Sequence, residues 1–244
     1  MKDDLALQST PDGGTMVRED SGGRRVPLGM VQKTMAKRML QSAREIPQFS
    51  VSRELDAELL GVRRARINAE IDDDDRRVSV TALLIWLTAL ALRKHPRMNS
   101  RFDEDAAIQH EQVNMAVAMD TPYGLVAPVI HGAEALSVAD TAVALNELAA
   151  RAMEKRLTMN DFADATFTTS NLGMFGISGF TPLVNPPQGA IIGVGAPRTA
   201  VRTDDEGQLV PTRAIELTVT ADHRILDGAE VARFLQTLAE SVGK

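Results

Sequence analysis

The stretch IELTVTADHRILDGAEVARFLQTL, Ile215 to Leu238, carries the decisive reading. Ile215, Leu217 and Val219 alternate with polar neighbours, the period of a strand with one face buried, whereas Val231, Phe234, Leu235 and Leu238 recur at helical spacing. His223 therefore falls at a strand-to-helix corner, a place from which side chains are presented to ligands. Asp227 followed by Glu230 has the spacing of a capping box at the mouth of the helix.

Working outward, further elements of both kinds appear. Short runs bounded by Gly, Pro and Asn predict strands over residues 113–119, 125–130, 166–170 and 190–194, with another around Phe49 and Val51. Helical spacing predicts a helix beyond Pro27 carrying Met30, Val31, Met35 and Met39, and a second through Leu55, Leu59, Leu60, Ile67 and Ile71. Residues 81–93 are apolar nearly all round, as a centrally buried helix requires. Ser137 with Asp140 caps a further helix through Val138, Leu145, Leu148 and Ala152. Interspersed helices and strands with no internal repeat predict one α/β (α+β) domain over residues 26–244. Residues 1–25 lack any apolar period and read as a flexible linker or tail.

Composition removes several classes of function. The 244 residues carry a formal net charge of -6, the wrong sign for holding nucleic acid over a broad surface. The absence of cysteine excludes disulfides, thiolate metal sites and cysteine nucleophiles, and favours a cytoplasmic setting. No apolar run is long enough to span a bilayer. The acidic run Asp72 to Asp75 reads as hydrated charge, since four adjacent carboxylates cannot all converge on one ion, and no metal is expected.

Three familiar signatures fail by a residue. Gly189, Gly193 and Gly195 lack the order of a dinucleotide turn, His110-Glu111-Gln112-Val113-Asn114 lacks the second imidazole of a zinc helix, and Gly176 to Phe180 lacks the final glycine of a nucleophile elbow and reads as a flexible loop. Of the four histidines, His95, His110 and His131 suit surface or capping roles. His223 is read equally well as a catalytic base or as a loop histidine held between Asp222 and Arg224. Asp227 is a helix cap or an orienter of His223, and Ser170 caps a turn or aims into a cleft.

Residues 222–235 (DHRILDGAEVARFL), residues 166–196 (TFTTSNLGMFGISGFTPLVNPPQGAIIGVGA) and PLGMVQKTMAKRM resemble, in order along the chain, the catalytic domain of the dihydrolipoamide acyltransferases of 2-oxo acid dehydrogenase complexes. LLIWLTALALRKHPRMN and YGLVAPVI extend the resemblance. It implies a chloramphenicol-acetyltransferase-like two-layer sandwich, a mixed sheet with flanking helices, assembled as homotrimers with active sites between subunits. It also implies acyl transfer, acetyl by the look of the TSNLGMFG and NPPQ loops, between coenzyme A as substrate and a lipoyl group carried on another domain or chain. Implied partners are that lipoyl domain and the decarboxylase and dihydrolipoamide dehydrogenase components.

In residue terms, the resemblance implies His223 as general base, Ser170 as oxyanion donor, and Asp227 fixing the loop through an arginine, with Arg38 the candidate. An imidazole titrating near ~6.5 can take the proton of a thiol whose ordinary value is ~8.5. Gln48 stands where many members have histidine, the paired glycine often found before the Thr166 strand is missing, and the C-terminus implies trimers rather than a large cage. Two alternatives stay open: a catalytically silent core subunit, and a transferase that acylates a small alcohol or amine.

Overall fold

The computed structural model describes residues 26–203 and 206–243, so the expected N-terminal tail lies outside the described residues. One sheet organises the chain, with strands in the order β1-β9-β7-β6-β4-β5 and β8 paired to the outer half of β9. These are β1 (Gln48–Asp56), β4 (Met115–Ala118), β5 (Val129–Ile130), β6 (Phe167–Asn171), β7 (Ala190–Val194), β8 (Arg198–Thr203) and β9 (Leu209–Asp222). The sheet is mixed: β4, β6 and β7 run parallel, while β9 pairs antiparallel with both β7 and β1. A separate hairpin joins β2 (Ser100–Asp103) to β3 (Ala106–Gln109).

Alternation decides which side of the sheet is covered by helices. Ile215, Leu217, Val219 and Ala221 of β9 share a core with Ile192 and Val194 of β7 and Met115 and Val117 of β4. Into that core pack α3 (Val80–Lys94) and α5 (Gly228–Val242), whose Phe234 and Leu235 are fully buried. Full burial of such side chains contributes about 1.5–3 kcal/mol each. α2 (Ala57–Ala69) and α4 (Val138–Met153) flank α3, giving the expected layer of helices on a mixed sheet. As its composition predicts, α3 is the central helix, with nine buried residues.

α1 (Met30–Glu45) is largely exposed, and Ser42, near its C-terminal end, is its one buried residue. The predicted boundary between the first strand and second helix moves. Leu55, which spacing places in the helix, lies in β1 opposite Ile215, because the strand runs on to Asp56, whose carboxylate accepts from the Glu58 and Leu59 N–H groups and starts α2 there. The acidic run 72–75 is exposed, and Asp74 pairs with Arg77.

Candidate active site

His223 follows the last residue of β9 and precedes the first turn of α5, the corner expected for it. Its backbone N–H donates to the Pro47 carbonyl at 2.9 Å, and its ring lies against Phe49 with centroids 4.4 Å apart. The imidazole is exposed, and among the described residues it has no hydrogen-bond partner within the chain.

The neighbours of His223 make the corner rigid. The Asp222 carboxylate is buried and takes a forked pair from Arg224, with Nε at 2.9 Å and Nη2 at 2.7 Å, plus the Arg224 backbone N–H at 3.0 Å. Hydrogen bonding to Asp222 also raises Arg224 above its ordinary value. The Arg224 guanidinium lies 3.9 Å over the Phe102 ring, tying the β2–β3 hairpin to the corner. Asp222 and Arg224 thus hold each other, while the histidine between them projects on its own.

Asp227 is exposed and caps α5, accepting the Glu230 N–H at 2.8 Å while Glu230 reaches back to the Asp227 N–H. The Glu230 N–H, followed by the Ala229 N–H and the charges of Arg233 and Arg97, holds its carboxyl below the usual range. Among the described residues no ion pair joins Asp227 to Arg38, which corrects the expected pairing within one chain. The nearby guanidinium is that of Arg97, bonded to the Ile225 carbonyl and the Glu230 carboxylate.

Ser170 lies one residue before the end of β6, half-buried, and among the described residues its hydroxyl has no partner within the chain. Asn171 shapes the turn beyond it: its Oδ1 accepts the Gly173 N–H and its Nδ2 donates to Thr81. Beyond it, residues 178–182 lie against the sheet, while residues 174–178 are exposed. Phe180 and Pro182 lie 3.1 Å from where a Cβ of Gly193 would stand, and added Cβ atoms at Gly179 and Gly195 would overlap Glu216 and the Ser178 carbonyl. The Ala196 N–H also donates to Ile177 at 2.7 Å. Missing side chains on β7 let the loop approach, so the near-elbow motif serves packing.

The register places the two candidate residues apart. Ser170 lies level with Gly193 on β7, and Gly193 with Thr218 on β9, while His223 is five residues further along. With about 3.4 Å per residue and about 4.8 Å per strand step, the two Cα atoms are about 20 Å apart. Their side chains cannot meet at one small site within the same chain.

The other histidines have structural places. His95 ends α3 and bonds Thr237 at 2.8 Å, the His110 N–H donates to the Asn99 carbonyl, and the His131 ring is 3.3 Å from the Asn160 carbonyl. Sequence reading missed the Phe49 ring as the neighbour of His223. Their proximity arises from pairing of β1 with β9, for which the chain offers no local signal.

A family model described as 2-oxoacid dehydrogenases acyltransferase (catalytic domain) matches residues 20–244. The dihydrolipoyllysine-residue acetyltransferase component of the pyruvate dehydrogenase complex of Rickettsia felis is 36% identical over 230 residues, covering 93% of this chain and 55% of that protein. The chain thus spans about half the length of the curated relatives it matches. A crystal structure of a probable dihydrolipoamide acetyltransferase from Listeria monocytogenes superposes with a TM-score of 0.86 at 30% identity, covering 91% of this chain and 95% of that one. The Azotobacter vinelandii dihydrolipoamide acetyltransferase, whose catalytic mechanism was investigated at a serine, a histidine and an asparagine, superposes equally well, at 0.86 and 30% identity over 91% of each chain. Chloramphenicol acetyltransferase, at 15% identity and a TM-score of 0.51 over 84% of this chain and 94% of that one, shares the fold.

Proposed function

Because the chain belongs to the 2-oxoacid dehydrogenases acyltransferase (catalytic domain) family, we propose that it transfers an acyl group, acetyl in the first instance, between the thiols of coenzyme A and dihydrolipoamide. Both thiols are substrates, the second delivered by a lipoyl domain. His223 acts as general base: its imidazole accepts the proton of the attacking thiol as the sulfur adds to the thioester carbonyl carbon. The negative charge that develops on the carbonyl oxygen is met by the Ser170 hydroxyl, whose donor is not engaged elsewhere in the described chain. Collapse breaks the original carbon–sulfur bond, and the leaving thiolate takes the proton back from the imidazolium. Asp227 supports this step by starting α5 and so holding the corner in place.

One observation carries the reading: the base and the oxyanion donor stand at opposite ends of the sheet, about 20 Å apart by strand register. A complete site then takes His223 from one chain and Ser170 from the next, and a homotrimer closes such head-to-tail contacts in a ring. The Azotobacter relative supports the residue roles, since its investigated histidine and asparagine are four positions apart, as His223 and Asp227 are. The assembly serves a pyruvate dehydrogenase type of complex, with decarboxylase and dihydrolipoamide dehydrogenase as further partners. A cytoplasmic setting agrees with the cysteine-free sequence, and no helix among the described residues is long and apolar enough to cross a membrane.

The test is steady-state transfer from acetyl-, succinyl- and isobutyryl-coenzyme A to dihydrolipoamide. The acetyl donor should turn over fastest, and His223→Ala should lower kcat about 10²- to 10⁴-fold with the oligomer intact. Absence of transfer from all three donors, or full turnover without the imidazole, would refute the reading.

A further inference from the structure

Beside the His223 corner lies a polar knot made by residues that the proposed chemistry does not use. Gln48 opens β1, and its side-chain Nε2 donates to the Ser42 carbonyl and to the Ser42 hydroxyl, each at 3.0 Å. Its Oε1 accepts the Val184 N–H at 2.9 Å. Ser42, fully buried, donates its hydroxyl to the Val184 carbonyl at 2.5 Å, closing the network. One amide therefore joins the end of α1, the start of β1 and the loop that enters Asn185-Pro186-Pro187-Gln188.

The residues on either side of Gln48 are those that hold His223. The Pro47 carbonyl takes the His223 N–H, and the Phe49 ring lies against the imidazole. Since the ring has no hydrogen-bond partner among the described residues, its direction depends on these two neighbours. Their own placement depends on how residues 47–49 are anchored. We propose that Gln48 is a positioning residue for the His223 imidazole, fixing through Pro47 and Phe49 the direction in which the ring presents its nitrogen. This rests on the reading of His223 as the base. Without the amide, the buried Val184 N–H loses its partner and β1 is released from α1 and the loop. A ring displaced by about 1 Å can lose up to about 10²-fold in rate while substrates still bind.

The experiment compares the full chain with Gln48→Met, which keeps the volume and removes every hydrogen bond, and with Gln48→Glu, which keeps an acceptor for Val184 and loses the donor to Ser42. Gln48→Met should lower kcat about 10- to 100-fold, with KM for acetyl-coenzyme A and dihydrolipoamide within about twofold. Gln48→Glu should fall between it and the parent. The rate of His223 modification by diethyl pyrocarbonate, followed by mass spectrometry, should change with kcat. If Gln48→Met does not fold, Gln48→Glu decides alone: kcat lowered at constant KM supports the role, and unchanged kcat overturns it. Lower thermal stability with unchanged kcat per folded chain and unchanged His223 reactivity would show that the knot is only structural. His223→Ala, assayed in parallel, separates the two levels. Turnover surviving in that variant sinks the general base, whereas its loss alongside fully active Gln48 variants sinks only the positioning role.

Discussion

Co-expressing His223→Ala chains with Ser170→Ala chains, each bearing a different tag, puts the two-chain site to a quantitative test. On the proposed roles and trimeric assembly, every site of a Ser170→Ala homotrimer lacks the oxyanion donor, a loss of about 10²- to 10³-fold. In a His223→Ala homotrimer every site lacks the base, a loss of about 10²- to 10⁴-fold. Tandem affinity purification retains only mixed trimers. In a ring where each base faces the donor of the next chain, both the 2:1 and the 1:2 mixture contain a single intact site, so activity per trimer should return to about one third of the parent value. The expectation follows from the strand register, which separates Ser170 from His223 by about 20 Å within one chain. If both residues served the same site from one chain, no mixture would rebuild it, and activity near about 1% of the parent would refute the reasoning. Recovery of about one half would instead indicate a two-membered assembly.

Gly195→Ala should destabilise the chain by about 1–3 kcal/mol and also lower kcat, because its Cβ would overlap the Ser178 carbonyl and lift the loop that follows Ser170; urea titration and kcat together check both effects, and wild-type values for both would contradict the packing argument. Burial, then Arg233 and Lys94, hold His95 below its ordinary value, and burial, then Arg101, do the same for His110. The unfolded chain then takes up these protons first as the pH falls, so stability is full above about pH 6.5 and declines as the pH drops through that value. Urea midpoints should show this decline, and His95→Gln, which keeps a partner for Thr237, should flatten it; an equally steep slope would exclude His95 as a source. Asp227→Asn keeps a side-chain acceptor for the Glu230 N–H and should stay close to the parent in stability and kcat. Asp227→Ala should lower the thermal midpoint by losing the cap, and the Asn variant melting as early as the Ala variant would argue for a role of the charge instead.

Legibility in the sequence followed the range of the forces concerned. Residues 80–94 and 228–242 are plain as helices, because their apolar periods and their Ser79 and Asp227 caps are local. The strand 190–194 is equally plain, since all five residues are buried. β1 extends past its apparent end because Arg53 and Glu54, exposed on an edge strand, interrupt the apolar pattern while the backbone continues to pair with β9. β3 is exposed along its length, and β8, Arg-Thr-Ala-Val-Arg-Thr, has only half-buried Arg198 and Ala200 facing inward; strands with no fully buried face leave little apolar alternation to find. The Arg38 partner expected for Asp227 is not brought to it within one chain, since nothing local encodes a contact between residues so far apart in the sequence.

The candidate residues of the site were legible from local pattern, while the roles proposed for them came from the family resemblance. An imidazole at the end of an alternating strand, a capping box behind it and a hydroxyl at another strand's end are properties of short segments, set by hydrophobic period and capping. Tertiary structure decided where those segments stand: that Phe49 faces the imidazole, that Asp222 binds Arg224 while His223 projects, and that Ser170 lies at the opposite end of the sheet. Register depends on which strands pair and at what offset, and that arises from burying side chains distant in sequence within one core.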